Sequence, residues 1–132
     1  MPEIVPSCDL RILEQLSFKV VEASPDAKIV ISTTGEIVIF NYQAELLFGL
    51  AREEVIGKTI EVLLPEDLHE KHMLHRKGYF KEPRVRDMGI GKVLKGKHRD
   101  SSLMDIEVKL APLVTVGGVY ALAVVRRVKD LL

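Results

Sequence analysis

Residues 103–128, LMDIEVKLAPLVTVGGVYALAVVRRV, carry the clearest secondary-structure pattern in the chain. Apolar residues occupy every second position of the first half, at Met104, Ile106, Val108 and Leu110. Charged residues fill the positions between them, at Asp105, Glu107 and Lys109. This alternation is typical of a strand with one buried face. The glycine pair in residues 116–118 then turns the chain into a second apolar run, so the stretch predicts a long antiparallel hairpin.

Three further strands are indicated upstream of this hairpin. Residues 88–98 predict one strand, which is joined to the hairpin by a turn over residues 99–102. Near the other end of the chain, residues 29–31 and 37–40 are β-branched runs separated by a loop over residues 33–36. The three closing strands are expected to form a meander, and the two opening strands are expected to join the same sheet.

The segments between the two groups of strands are predicted to be helical. Asn41 caps a helix over residues 42–48, which Gly49 ends. Residues 52–56 predict another helical turn, whereas residues 59–64 are ambiguous. Pro65 begins a helix that runs to about residue 80. A first helix with Ser7 as its cap precedes the strands. The order predicts an α+β domain in which helices cover one face of a single antiparallel sheet and leave a cavity between the two layers.

Composition places the chain among ordinary globular proteins. It has 132 residues, of which 47% are hydrophobic and 29% charged, so one domain is expected. The 19 basic and 19 acidic residues cancel, so neither nucleic acid nor a membrane is expected as a partner. The single cysteine, Cys8, excludes an intramolecular disulfide. No signal peptide or membrane-spanning run is recognisable, and a cytoplasmic location is expected.

Several short motifs occur in an order and spacing that resemble a PAS domain of the kind found in bacterial sensor histidine kinases. They lie between about residues 22 and 127, at residues 23–27, 35–38, 41–49, 52–57, 64–66, 72–80, 83–86, 88–91, 96–100, 106–107 and 110–113. The resemblance implies a five-stranded antiparallel sheet with short helices over one face. It also implies sensing, dimerisation or signal relay, with no catalysis by the domain itself.

The resemblance implies a division into three parts: an amphipathic flanking helix at residues 1–22, the PAS domain at 23–128 and a tail at 129–132. Two positions depart from the family pattern. Asp100 and Ser101 stand where an Asp-Gly turn is common, and residues 127–129 replace the Asp-x-Thr motif that passes the signal on. A downstream signalling partner or a fused effector domain is therefore expected to supply the output.

Three of the four histidines, His69, His72 and His75, are spaced three residues apart on one predicted helix. Successive members are rotated by about 60°, so the imidazoles fan across a broad face. No carboxylate or cysteine motif completes a tetrahedral set around them, so no metal site is predicted. A polar helix face with one histidine turned inward is the simpler interpretation, and His69 is expected to face solvent.

His72 has a more specific alternative role through the resemblance. It falls where the oxygen-sensing haem PAS domains of root-nodule bacteria carry their proximal histidine. An imidazole on the cavity side of this helix could ligate haem iron. The candidate cavity residues are His72, Tyr79, Lys92, Ile106, Val108 and Leu110.

Two residues weigh against haem b. Lys92 replaces the arginine of those sensors, and a lysine cannot reproduce its planar fork. Asp87 stands where their pockets are apolar, and an unpaired carboxylate there would be costly. A histidine at position 72 is also frequent in relatives not known to hold haem. Flavin is not expected, because the only cysteine, Cys8, lies outside the domain core.

Enzymatic motifs are incomplete. The Gly89–Gly91 pair lacks the third glycine of a dinucleotide fingerprint, because Leu94 occupies that position. The serines at positions 101 and 102 have His98 nearby but no recognisable oxyanion hole or orienting acid. No catalytic residue is predicted.

The first helix offers an apolar stripe composed of Leu10, Leu13, Leu16 and Val20. It could pack on its own sheet or against the same helix of a second copy, and a homodimer is favoured. Three hypotheses remain: a ligand- or partner-sensing dimeric module, a haem-based gas or redox sensor using His72, and a purely structural dimerisation module.

Overall fold

A computed structural model describes residues 9–84, 86–88 and 94–128 of the chain. The helices and strands follow one another in the order α1 (Leu10–Glu22), β1 (Ala27–Ile31), β2 (Ile37–Phe40), α2 (Tyr42–Phe48), α3 (Arg52–Val55), α4 (His69–Lys81), β3 (Arg86–Met88), β4 (Leu94–Lys97), β5 (Leu103–Thr115) and β6 (Gly118–Arg127). Two 3₁₀ turns, Ile60–Leu63 and Glu66–Leu68, lie between α3 and α4. The first of them is the segment that the sequence left ambiguous.

Antiparallel pairing places the strands in the order β2-β1-β6-β5, and both β3 and β4 pair with β5 at the far edge. β3 pairs with residues 108–110 of β5 and β4 with residues 103–106, so these two short strands share one position in the sheet. The described sheet thus has five strand positions, which confirms the predicted α+β architecture. Of the strand predicted over residues 88–98, residues 89–93 lie outside the described part of the chain.

The predicted C-terminal hairpin and its predicted buried face are confirmed. β5 and β6 pair continuously from Ile106 opposite Arg127 to Thr115 opposite Gly118. Met104 and Ile106 are buried, whereas Glu107 and Lys109, which follow them, are exposed. The alternation of the sequence therefore separates the core face of the sheet from its outer face.

The core lies between the sheet and the helical layer. Its largest fully buried apolar side chains come from both layers: Ile29, Ile37, Phe40, Phe48 and Val55. The rings of Phe40 and Phe48 lie 6.2 Å apart between their centroids, which locks α2 onto the first two strands.

Asn41 connects several elements through one side chain. As predicted, it caps α2, where its Oδ1 accepts from Ala44 N at 3.1 Å. The same oxygen accepts from Lys28 N at 2.9 Å, and Nδ2 donates to the carbonyls of Val21 and Asp26 at 2.8 and 3.0 Å. The side chain is fully buried and makes four hydrogen bonds.

Helix α1 starts later than the sequence suggested. Asp9 is its N-cap, because the Asp9 carboxylate accepts from Arg11 N at 2.8 Å. Ser7, the predicted cap, lies outside the described residues. None of the thirteen residues of α1 is buried. Near its C-terminal end, Glu22 pairs with Arg52 and Val21 bonds to Asn41, so this end is attached to the domain. Within the described residues, no helix is both long and apolar enough to cross a bilayer.

Candidate functional site

A cavity of about 740 Å³ lies between α4, the first 3₁₀ turn and the core face of the sheet. Its walls are mostly apolar and include Ile29 and Ile31 from β1, Ile106, Val108 and Leu110 from β5, and Tyr79 and Phe80 from α4. Cavities of about 300–1,000 Å³ with apolar walls and a few polar groups are the usual form of a small-molecule or cofactor site. This cavity is therefore the candidate ligand site.

Apart from the hydroxyl of Tyr79, the polar side chains among the described lining residues are all basic or imidazole groups. They are Lys71, His72, His75, Arg76 and Lys95. No carboxylate belongs to this described lining. Arg76 and Lys95 are paired with the acidic residues Glu61 and Asp105, which are not among the described lining residues. The cavity therefore combines an apolar interior with a polar lining suited to a neutral or acidic ligand group.

His72 is the more buried of the two histidines that line this cavity. It lies on α4, and 30% of its side chain is exposed. Its Nδ1 lies 2.6 Å from Oε2 of Glu61. Because a carboxylate can only accept, Nδ1 is assigned as the hydrogen-bearing nitrogen. No other described residue hydrogen-bonds to the ring, so Nε2 is left without a protein partner within the described residues.

Glu61 and Arg76 form a buried ion pair behind His72. Glu61 is 6% exposed and Arg76 is 8% exposed. Arg76 donates from Nε to Oε2 at 3.1 Å and from its terminal nitrogen to Oε1 at 2.7 Å, which is a bidentate arrangement. A third bond runs from the guanidinium to the carbonyl of Thr34 at 3.0 Å. Arg76 thus joins α4 to the first 3₁₀ turn and to the turn between β1 and β2.

The turn between β1 and β2 is shaped to receive this guanidinium. Gly35 has a φ of +84°, which is in the left-handed region. A Cβ built on Gly35 would stand 2.3 Å from the Cζ of Arg76. Glycine is therefore required here both by the backbone conformation and by the close approach of Arg76.

Burial and charge shift the pKa values of this cluster in a consistent way. Burial lowers the pKa of the His72 imidazole, and the bond to Glu61 and its charge only partly offset this effect, so the pKa stays below its ordinary value. Burial by itself raises the pKa of the Glu61 carboxyl, but the hydrogen bonds from Arg76 and His72 outweigh it and hold that pKa below its usual value. At neutral pH the cluster therefore holds a carboxylate, a guanidinium and a neutral imidazole.

The shift at His72 predicts a pH dependence of stability. Because the folded pKa is lower than the unfolded value of about 6.5, the unfolded chain takes up the proton first as the pH falls. The stabilisation by neutral His72 is complete above about pH 6.5 and is lost as the pH drops through the folded pKa. We expect the free energy of unfolding, measured with urea between pH 7.5 and 5, to fall less steeply in His72→Gln than in the wild type. His75→Gln is the control on the same helix, and equal slopes for His72→Gln and the wild type would contradict the prediction.

The other two histidines of α4 lie in different surroundings. His69 is half-buried, and its Nε2 lies 2.8 Å from the carbonyl oxygen of Leu64, so this nitrogen is the hydrogen-bearing one. The prediction that His69 faces solvent is therefore wrong. His75 is exposed at the cavity lining. Within the described residues, no group of three or more His, Cys, Asp or Glu side chains is arranged to hold a metal ion.

The structure places most of the residues named from the sequence. The apolar candidates and His72 lie together at the cavity: Tyr79, Ile106, Val108 and Leu110. Lys92 lies outside the described residues. The register pairs Asp87 with Lys109, whereas the cavity-lining Val108 and Leu110 pair with Met88 and Arg86. Asp87 is therefore not opposite a cavity-lining residue in the sheet.

Glu61 and Arg76 were missed in the sequence. They are fifteen positions apart, and charged side chains in short helical segments are usually solvated. The glycine at position 35 and the charge of Glu61 within the otherwise apolar residues 60–64 are the local sequence signals that could have pointed to them.

A family model described as the PAS fold matches residues 17–128. The chain belongs to the PAS family. It is a sensory domain of this type, as the order of its motifs indicated. Among curated proteins, this PAS domain is 31% identical over 117 residues to the sensor protein FixL of Bradyrhizobium diazoefficiens and 32% identical over 109 residues to the oxygen sensor protein DosP of Escherichia coli.

These matches cover 89% and 83% of the chain but only 23% of FixL and 14% of DosP. The chain thus spans less than a quarter of the length of either relative. Among solved structures, the PAS domain of an HTR-like protein from Haloarcula marismortui has a TM-score of 0.74 at 25% identity and covers 90% of this chain and 97% of its own. A PAS domain from a two-component sensor histidine kinase has a TM-score of 0.75 at 9% identity, covers 91% and 100%, and supports the fold alone.

Proposed function

We propose that this PAS domain senses a small apolar ligand held in the cavity between α4 and the sheet, and that it performs no catalytic step of its own. The observation that supports this function is the cavity of about 740 Å³, which is lined by the core faces of β1 and β5. A ligand there contacts α4 and the sheet at once. Its binding energy would therefore act on the relative position of these two layers.

Haem is the ligand that the described residues favour. Nε2 of a neutral His72 has no protein partner among them and has the lone pair that iron requires. The cavity volume is adequate, and the basic groups of its lining suit the two propionates of haem. The relation to a protein named as an oxygen sensor supports the same candidate. A bound haem would supply an iron site for a diatomic gas.

Loading the protein with haem tests this ligand directly. We expect wild-type protein titrated with haem to show a strong Soret band, and His72→Ala to bind haem at least about 100-fold more weakly, because loss of an outer-shell partner alone costs about 10–100-fold. His75→Ala, three residues along the same helix, is the matched control and should bind like the wild type. The measurement is the visible absorption spectrum at increasing haem concentration.

Other results of the haem titration would change the ligand or the iron-binding residue proposed for the cavity. A colourless wild-type protein would remove haem from the proposal and return attention to another apolar ligand. If the protein also shows no change in melting temperature with small apolar ligands, the purely structural dimerisation module is supported instead. Equal haem affinity in His72→Ala and wild type would mean that His72 is not the iron ligand.

Dimerisation through α1 is the second part of the proposal. The stripe formed by Leu10, Leu13, Leu16 and Val20 is exposed, between 38% and 64% for each residue. A thirteen-residue helix with no buried residue gains little from packing on its own domain, so packing against a second copy would stabilise it. A contact between two identical helices around a two-fold axis would be self-complementary.

Charges placed in this stripe test the dimer. We expect Leu13→Glu/Leu16→Glu to raise the dimer dissociation constant at least about 100-fold, because each unpaired buried carboxylate costs more than the 1.4 kcal/mol that corresponds to a factor of ten. Sedimentation velocity over a range of concentrations gives this constant. Val114→Glu, an 81% exposed valine on β5, is the control. A wild-type protein that is monomeric at high concentration would exclude the α1 seam.

The same proposal divides the chain into a flanking helix at 1–22, a sensory domain at 23–128 and a short tail at 129–132. Output is assigned to a downstream signalling partner or a fused effector, as in a two-component system. The relation of this chain to a protein named as a sensor protein supports that assignment.

A further inference from the structure

Glu61 has a place in the site that goes beyond holding the fold together. Its carboxylate accepts three hydrogen bonds, one from His72 and two from Arg76. Oε2 is shared by Nδ1 of His72 and Nε of Arg76, whereas Oε1 takes the terminal nitrogen of Arg76. Every one of these bonds needs a hydrogen on the partner, because an ionised carboxylate has none to give. The tautomer of His72 is therefore determined by Glu61.

Arg76 prevents the carboxylate from turning away from His72. Its bidentate contact fixes the plane of the carboxylate, and its further bond to the Thr34 carbonyl fixes the guanidinium. Gly35 packs against the same guanidinium. The orientation of Glu61 is thus imposed by Arg76 on α4, which the turn between β1 and β2 holds in place, and His72 receives a fixed acceptor.

His69 provides an internal comparison on the same helix. Its Nε2 meets a backbone carbonyl, which also only accepts, so its hydrogen is on Nε2 and its lone pair is on Nδ1. The two imidazoles thus have opposite tautomers. Of these two, only His72 belongs to the cavity lining, and only His72 has its Nε2 lone pair available.

We propose that Glu61 is a positioning residue that holds the hydrogen of His72 on Nδ1 and so offers the Nε2 lone pair to the occupant of the cavity. The cavity then selects apolar ligands that bring an electron-pair acceptor, and a metal porphyrin is the class that fits. A carboxylate bonded to the far nitrogen also makes the imidazole a stronger donor. This inference rests on the proposed function, since it requires the cavity to be the ligand site.

The first experiment reads the tautomers without any ligand. The protein is labelled with ¹⁵N-histidine, and long-range ¹H–¹⁵N correlations are recorded above pH 7. We expect His72 in the Nδ1–H form and His69 in the Nε2–H form. In Glu61→Leu/Arg76→Met, which removes both buried charges together, His72 should lose its fixed Nδ1–H form while His69 keeps its own. Glu70→Gln, an exposed carboxylate on α4, is the control.

The second experiment reads the consequence for a ligand, with ferric haem as the probe. We expect Glu61→Leu/Arg76→Met to bind haem about 10–100-fold more weakly than the wild type, and Glu70→Gln to bind equally well. The ferrous iron–histidine stretching frequency, measured by resonance Raman, should also fall in the double variant. A purely structural role of Glu61 would leave that frequency unchanged in protein that remains folded.

The outcomes separate this inference from the proposed function. If the wild-type protein binds no haem, haem and the ligand class inferred here are both wrong, whereas the tautomer spectra still determine the role of Glu61. An Nε2–H form of His72 in the wild type, or an unchanged Nδ1–H form in the double variant, overturns the role of Glu61 whatever the haem result. Equal haem affinity and equal stretching frequency in the double variant would overturn it as well.

Discussion

Replacing Arg76 by methionine is expected to lower the free energy of unfolding by about 3–5 kcal/mol, because the substitution leaves Glu61 buried without its counter-charge. Both side chains of the pair are less than a tenth exposed, so water cannot easily take the place of the guanidinium. The bond to the Thr34 carbonyl is lost at the same time. Urea unfolding of Arg76→Met against wild type measures the effect.

Two further variants show whether the charge itself is responsible. Glu61→Leu/Arg76→Met removes both charges, and we expect it to recover most of the loss, since apolar replacement of a whole buried pair is often neutral. Arg52→Met breaks ion pairs with Glu22 and Glu45 that are partly exposed, and is expected to cost about 1 kcal/mol or less. If Arg76→Met is no more destabilising than Arg52→Met, the ion pair does not have the importance assigned to it.

The substitution Asn41→Ala is expected to cost at least about 3 kcal/mol, because four backbone groups lose their partner in a site that water does not reach. Two of these groups are the amides of Lys28 and Ala44, and two are the carbonyls of Val21 and Asp26. Removing a helix N-cap alone costs about 0.5–2 kcal/mol, so a loss within that range would show that only the cap matters.

Conservative variants separate the stabilisation due to the hydrogen bonds that Asn41 accepts from the stabilisation due to those that it donates. Asn41→Asp keeps the acceptor for the two amides but places a carboxylate against two carbonyl oxygens. Asn41→Ser keeps the cap of α2 and is expected to be intermediate between alanine and wild type. Since the Val21 carbonyl belongs to the last turn of α1, amide hydrogen exchange in that turn should quicken in Asn41→Ala and in Asn41→Asp.

Much of the fold could be predicted from local rules. The alternation along residues 103–110 predicted which face of β5 is buried, because side chains of a strand point to opposite faces at every step. Asn41 and Gly49 marked the two ends of α2, since one accepts from a free amide and the other adopts a left-handed conformation. These signals depend on neighbouring residues only, and the sequence therefore contains them in full.

The environment of His72 could not be predicted in the same way. Its partner Glu61 lies in a 3₁₀ turn whose type was ambiguous, and the third member of the cluster is contacted by a turn 42 residues away from it. Sequence rules place Glu and Arg at the surface. Their burial is stable only because the first 3₁₀ turn, α4 and the turn between β1 and β2 meet here and pair the charges. That meeting is a property of the tertiary structure.

In the candidate site, too, some features could be predicted from the local sequence and others could not. The apolar residues of β5 that line the cavity were named from their alternation, whereas the inward position of His72 came from the resemblance to haem PAS domains. His69 was expected to face solvent, but it bonds to the Leu64 carbonyl at the start of α4. Such a contact depends on how the preceding 3₁₀ turn bends, which three-residue spacing alone does not specify.

The glycine in the turn between β1 and β2 has a consequence for variation in this protein. A methyl group at position 35 would collide with the guanidinium of Arg76, and the displaced guanidinium would release the carboxylate of Glu61. A change in a surface turn would thereby alter the imidazole that faces the cavity, although Gly35 itself is not part of the cavity lining. Under the proposed function, a substitution in this turn would change the ligand preference without changing any residue of the described cavity lining.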